Sequence, residues 1–230
     1  VMTCAYSPNG GLVAAGGLDN VCSVFNLRAR EQPLRTYREL HGHTGFVSCV
    51  RFLNDRQLLT ASGDATCALW DIDSQTRLLP FQGHLSDVMA LAVAPDKNTF
   101  ATGGCDRMSK LWDVRTGRCV QSFQAPPPAA AGQYGDVNAV AWFPAGHAFA
   151  AGADDGQLRL YDTRAVRELA AYAADSPAAV TSVAFSASGR LLFAGYDAPA
   201  ALVWDTLRGE RVASLGGHEA RVSCVGVPPN

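Results

Sequence analysis

The chain has 230 residues, 48% of them hydrophobic and 17% charged, with a formal net charge of −2. That length suits one large all-β domain, and that charge gives no electrostatic case for nucleic acid or anionic lipid as a partner. No apolar run approaches the ~18 residues of a membrane-spanning helix, and no basic-then-apolar leader opens the chain.

The first unit begins with VMTCAY (1–6) as an inner strand. The turn Ser7-Pro8-Asn9-Gly10-Gly11 leads to LVAAG (12–16), and a turn around Asp19-Asn20 leads to VCSVFNL (21–27). A basic stretch, 28–38, is expected to hold the outer strand. Because Val1 already falls in a strand, the true start is expected to lie upstream. The seven cysteines (4, 22, 49, 67, 105, 119 and 224) are scattered, odd in number and without a CxxC spacing. They read as buried, reduced thiols of an intracellular protein.

The second unit, 42–71, opens with Gly-His and closes with Trp-Asp: GHTGFVSCVRFLNDRQLLTASGDATCALWD. The third, 83–113, repeats it as GHLSDVMALAVAPDKNTFATGGCDRMSKLWD. His43 to His84 is 41 residues and Asp64 to Asp106 is 42. Short β-rich runs at this period, bounded by these dipeptides, are the signature of a WD40 β-propeller, each blade a four-stranded antiparallel sheet. A buried polar relay follows from the residue types. Asp64 accepts from the His43 ring N–H, the other ring nitrogen accepts from the Thr60 hydroxyl, and that oxygen accepts from the Trp70 indole. Every donor then has an acceptor. The third unit carries the same set as His84, Thr102, Asp106 and Trp112. A Thr–His–Asp set also resembles a hydrolase triad, but a triad needs an exposed nucleophile and an oxyanion hole, and a catalytic site has no reason to recur at the repeat period.

The other units depart from the pattern. In the first, Ala15 and Phe25 stand in the Thr and Trp places. The fourth is swollen by APPPAAAG (125–132), which cannot extend a ladder and is expected as an exposed loop. Gln133, Ala151 and Tyr161 stand there for His, Thr and Trp, while Asp154-Asp155 remains. Asp155, if buried, needs a new partner, and the alanine-rich 148–153 stretch is expected to pack more loosely. The fifth keeps Trp204 but has Ala198 in the Asp place, with a turn at Tyr196-Asp197. The sixth begins at 216 with His218 and stops after one expected strand. The reading is an all-β WD40 propeller in one domain. Its repeat units run roughly 1–38, 39–81, 82–123, 124–172, 173–215 and an incomplete 216–230. Five blades and one strand are expected as part of a closed ring of seven, since an unpaired strand edge invites aggregation.

With these units placed, the chain closely resembles the β subunit of heterotrimeric G proteins. The resemblance is carried by VMTCAYSPNG, GGLDNVCSVFNL, GHTGFVSC, SGDATCALWDI, GHLSDVM, SKLWDVR, TSVAFSASGRLLFAGYD and GHEARVSC, and covers nearly all but 125–135. It implies a non-catalytic signalling subunit that pairs with a γ subunit, binds the Gα subunit in its GDP form and, once released, engages effectors such as ion channels, phospholipase C and adenylyl cyclase. No cofactor or metal is implied, and no insertion into membrane by this chain. Location at the inner face of the plasma membrane would come through partner lipidation. In that family an N-terminal helix coils with γ. That helix, the first blade and most of the seventh are expected to lie outside the given sequence.

Carried over motif by motif, the resemblance implies a contact face of Met2, Leu18, Asn20, Thr44, Phe46, Asp87, Met89, Cys105, Asp136, Asn138 and Asp154. Phe46 stands where the family usually has Tyr. Apolar anchors among carboxylates suit a partner's basic segment. The 125–132 insertion precedes Asp136 on the same rim. Two alternatives stand beside this reading. One is a generic WD40 scaffold for another intracellular complex. The other is an enzyme on a propeller, against which no phosphate loop, metal-spaced His/Cys set or nucleophile elbow is found, and His41 and His147 stand alone.

Overall fold

The structure is a computed structural model that describes residues 1–29, 35–126, 135–174 and 178–227. The described residues form five four-stranded antiparallel sheets in chain order, with no helix. Blade one is β1 (Thr3–Tyr6), β2 (Leu12–Gly16), β3 (Cys22–Asn26) and β4 (Thr36–Leu40). Blade two is β5 (Val47–Phe52), β6 (Gln57–Ser62), β7 (Thr66–Asp71) and β8 (Thr76–Gln82). Blade three is β9 (Val88–Val93), β10 (Thr99–Gly104), β11 (Met108–Asp113) and β12 (Cys119–Gln124). Blade four is β13 (Val137–Trp142), β14 (Ala148–Ala153), β15 (Gln157–Asp162) and β16 (Arg167–Ala173). Blade five is β17 (Val180–Phe185), β18 (Leu191–Tyr196), β19 (Ala201–Asp205) and β20 (Glu210–Leu215).

Each blade packs its faces on its neighbours, so the middle strands lose the usual polar alternation. β6, β10 and β14 are buried almost throughout. The core accordingly lies between blades rather than within them. Ala14 and Val24 of blade one meet Val47, Leu58 and Trp70 of blade two. Leu59, Leu69 and Phe81 meet Leu91, Phe100 and Trp112. Ala101, Leu111 and Phe123 meet Val140, Phe149 and Tyr161, and Leu158 and Tyr172 meet Leu192 and Trp204. The innermost strands β1, β5, β9, β13 and β17 stand side by side around a cavity of about 400 Å3, whose wall also includes Ser223 to Val225.

Several expectations are corrected here. The outer strand of blade one runs to Leu40, beyond the basic stretch, and Tyr196 ends a strand instead of forming a turn. The 216–227 stretch forms no ladder. With no partner strand beside it among the described residues, it is held at Val222, whose N–H reaches the carbonyls of Tyr196 and Ala198 and whose carbonyl accepts from Thr181. All seven thiols are free, but only Cys22, Cys49 and Cys67 are buried, while Cys4, Cys119 and Cys224 are exposed. Cys119 lies on the outermost strand of blade three and Cys224 past the last strand, where no neighbouring blade covers them. Cys4 stands at the register of the buried Val50, on the face of blade one that no described residue covers. Ala125 is buried and donates its N–H to Arg107 O at 3.1 Å, whereas 127–134 lie outside the described residues. β14 is not loosely packed. Its alanines are buried, and Phe149 among them meets Phe123, Tyr161 and Trp142 at ring distances of 5.4, 5.3 and 6.0 Å.

The interblade packing makes a direct prediction. Phe100 is fully buried, edge-on to Phe81 at 4.8 Å and stacked on Trp112 at 6.2 Å. Phe100→Ala should lower stability by about 3–5 kcal/mol in urea unfolding, and Val120→Ala on the exposed outer strand should leave it nearly unchanged.

Candidate partner-binding face

The relay is present in blades two and three. His43 Nδ1 lies 2.8 Å from Asp64 Oδ2, His43 Nε2 lies 2.6 Å from Thr60 Oγ1, and the Trp70 indole donates to Thr60 Oγ1 at 2.8 Å. In blade three the corresponding distances are 2.9 Å from His84 to Asp106, 2.7 Å from His84 to Thr102 and 2.9 Å from Trp112 to Thr102. Asp accepts from Nδ1–H, which leaves Nε2 to accept from the hydroxyl. Each aspartate also takes two backbone N–H groups: Thr44 and Thr66 for Asp64, Leu85 and Met108 for Asp106. One carboxylate thus ties the loop before the first strand to the turn before the third. Burial alone would raise both carboxyl pKa values. The hydrogen bonds, from Thr66, His43 and Thr44 in one case and His84 and Leu85 in the other, outweigh it and hold both below the ordinary 3.8.

These tied turns form one end of the blades, and the strand register explains what they present. Each innermost strand of blades two to five carries a one-residue bulge near its start. The extra residue is Ser48, Met89, Asn138 or Thr181, since Val47 pairs with Ser62 and Cys49 with Ala61, and likewise in the other three blades. A bulge re-aims the extra side chain off the sheet face, here to the wall of the central cavity with Met2. Ser48, Asn138 and Thr181 donate across the blade boundary to the carbonyls of Val88, Val180 and Val222. A second recurring bond joins the residue before each leading Val to the turn after the second strand. Gly63, Cys105, Asp154 and Asp197 donate their N–H groups to the carbonyls of Phe46, Asp87, Asp136 and Ala179, at 2.8–3.0 Å.

The eleven contact residues expected from the resemblance therefore fall at a few equivalent positions. Met2, Met89 and Asn138 belong to one row, Phe46, Asp87 and Asp136 to another, and Leu18, Cys105 and Asp154 to a third. Asn20 occupies the turn position where Ala65, Arg107 and Gly156 also have positive φ, and Thr44 follows the relay histidine. All eleven are at least partly exposed, Leu18 at 78%. Asn20 Nδ2 reaches Thr44 O at 3.4 Å, linking blades one and two. Phe46 lies across Gly63, where a Cβ would collide with its ring. Asn138 donates to Asp154 within blade four. Sequence motifs did not pick out Ser48, Thr181, Asp197 or Leu85, which occupy equivalent positions. Superposing the units on their leading Val would have marked them.

The centre of this face is acidic. Asp87, Asp136 and Asp154 surround Cys105. Burial, then the charge of Asp136 and its acceptance of the thiol hydrogen, push the Cys105 thiol up to about 12, with Asp87 and Asp154 adding to it. Burial also raises Asp136, against the Cys105 hydrogen bond and with help from Asp154, Asp106 and Asp87. Such a patch repels further anions and favours cationic groups. Among the described residues no cluster of His, Cys, Asp and Glu could hold a metal ion, and no helix is long and apolar enough to cross a membrane.

Two measurements follow. A depressed carboxyl pKa stabilises fully above the ordinary value and is lost as pH falls through the folded one. Asp64→Asn should therefore cost about 1–3 kcal/mol near neutral pH, and that deficit should shrink below pH 3.8, as urea unfolding at the two pH values would show. Cys105, kept protonated, should react with iodoacetamide near neutral pH more slowly than the exposed Cys4 and Cys119, read by peptide mass spectrometry.

Comparison with known proteins follows the same lines. The family model described as G protein beta WD-40 repeat protein matches residues 1–230. The chain is 57% identical over 228 residues to a guanine nucleotide-binding protein subunit beta of Dictyostelium discoideum, covering 99% of this chain and 64% of that protein. It is 53% identical over 227 residues to the G(I)/G(S)/G(T) subunit beta-1 of Homarus americanus, covering 99% of this chain and 65% of that one. The chain thus spans just under two thirds of the length of these relatives. Blades, relays and sequence agree, and the chain belongs to the G protein beta WD-40 repeat family.

Proposed function

We propose that the chain serves as the β subunit of a heterotrimeric G protein, a signal-transducing subunit that performs no catalysis. With a γ subunit it binds Gα in the GDP form through the face described above. After nucleotide exchange the same face is free for effectors, for which ion channels, phospholipase C and adenylyl cyclase are the candidate classes. Membrane association comes through lipid on the partners, at the inner face of the plasma membrane.

The observation that carries this reading is the acidic centre of the face, Asp87, Asp136 and Asp154 about Cys105, flanked by exposed Met2 and Leu18 and half-buried Met89. Apolar anchors inside a charged rim are how protein interfaces divide affinity from specificity. The carboxylates select a basic segment, so binding should weaken with ionic strength.

The test is a pull-down of the full-length β subunit, co-expressed with γ, against Gα loaded with GDP or with a non-hydrolysable GTP analogue. Capture of the GDP form and loss of the analogue form is the expected result. Asp87→Ala and Met89→Ala should each weaken capture by about tenfold. Equal capture of both forms, or none by a well-folded dimer, would favour the generic scaffold instead.

A further inference from the structure

We infer that Arg159 is the positioning residue for Asp154 on the candidate face, doing in blade four what the His–Asp relay does in blades two and three. The inference rests on the proposed role of that face. The register shows how the substitution works. Thr60 pairs with Ala68, Thr102 with Lys110 and Ala151 with Arg159. Where Ala151 replaces the relay threonine, the oxygen that would anchor an imidazole and an indole is gone. Arg159, directly across the ladder, turns inward, and its side chain is 3% exposed. Lys110, at the same position in a blade that keeps its relay, reaches Ser122 at 3.0 Å on the exposed side. A cation at this position enters the blade only where the relay is missing.

The Arg159 guanidinium grips Asp155 with both terminal nitrogens, Nη1 to Oδ1 at 3.3 Å and Nη2 to Oδ2. Nη2 also donates to Gln157 Oε1 at 3.2 Å, and Glu168 stands 4.0 Å from Nε. Asp155 is the counterpart of Asp64 and Asp106, and its side chain is 4% exposed. It accepts the Gln157 N–H at 3.1 Å, as the relay aspartates accept those of Thr66 and Met108. The residue before it is Asp154, fixed by its own N–H on Asp136 O at 3.0 Å and by Asn138. Without the guanidinium, Asp155 would be a buried carboxylate with no charge partner among the described residues. Its escape to water would carry the turn, and Asp154 with it, out of line with Asp136.

The experiment uses the full-length β subunit with γ and four variants: Arg159→Met, Arg159→Lys, Asp154→Ala and the Arg159→Met/Asp154→Ala double. Amide hydrogen exchange should rise about tenfold or more at 154–157 in Arg159→Met, while the turns at Asp64 and Asp106 keep their protection. Arg159→Lys, which retains charge without the fork, should fall between and carries the test if the methionine variant does not fold. Arg159→Met and Asp154→Ala should each weaken binding to Gα·GDP by about tenfold, and the double variant should be no weaker than the worse single one, because one residue acts through the other. Unchanged exchange at 154–157, or losses that multiply in the double variant, would overturn the inference. Raised local exchange with undiminished binding by Asp154→Ala would uphold the positioning role and overturn the partner assignment of the face.

Discussion

A carboxylate at the turn between the second and third strands must be given donors wherever it lies beneath a blade's rim. The five blades meet this constraint differently. In blades two and three a histidine from the preceding loop supplies the donor, and a threonine and a tryptophan complete the chain. In blade four an arginine on the next strand supplies it. In blade one Asp19 is exposed and faces water. Blade five has Ala198 in that place, its turn carboxylate being the exposed Asp197, and with Ala194 in the threonine place the buried Trp204 indole lies beside the Tyr196 hydroxyl instead. The first three solutions keep the turn in place because leaving the group bare costs more than any of them.

The rim is tied down a second time by backbone. The bond from the turn to the residue before each leading Val recurs in four blades, whatever side chains occupy those places. Side chains at these positions are therefore presented by main chain and are free to vary from Phe46 to Asp87 to Asp136. The bulged row behaves differently. Where it holds Ser or Asn it clasps the next blade, where it holds Thr181 it clasps Val222 past the last blade, and where it holds Met89 the side chain is left for the surface. One strand irregularity thus clasps neighbouring backbone in some blades and leaves an apolar side chain at the rim in another.

What could be read from sequence follows from this division. The relays were legible because their donors and acceptors balance inside one repeat. The blades were legible because turn residues recur at a constant period. Arg159 was not, since its role depends on lying across the ladder from Ala151, a register fact with no local motif. The bulges were not, because nothing in Ser48 or Thr181 marks an extra residue. The cysteines were misjudged for a related reason. Position on a strand decides burial only when it is known whether that strand is covered, and Cys119 on the outermost β12 is not. The 216–227 stretch has the residues of an inner strand but, among the described residues, no strand beside it to complete a ladder.

Blade four joins these threads. Its interior has lost the threonine and tryptophan of the relay, with Ala151 and Tyr161 in their places. Phe149, Phe123 and Tyr161 fill the apolar side of the change, and Arg159 with Asp155 satisfies the polar side. Above them Asp154 and Asn138 remain at the rim positions held by Cys105 and Met89 in blade three. The aspartate of the turn joins interior to rim, so an interior can be rebuilt so long as that carboxylate keeps a donor. A bidentate arginine is a stricter donor than an imidazole, fixed in geometry and always charged. Blade four, without the threonine and tryptophan of the relay, thereby keeps Asp154 at the rim beside Asp136.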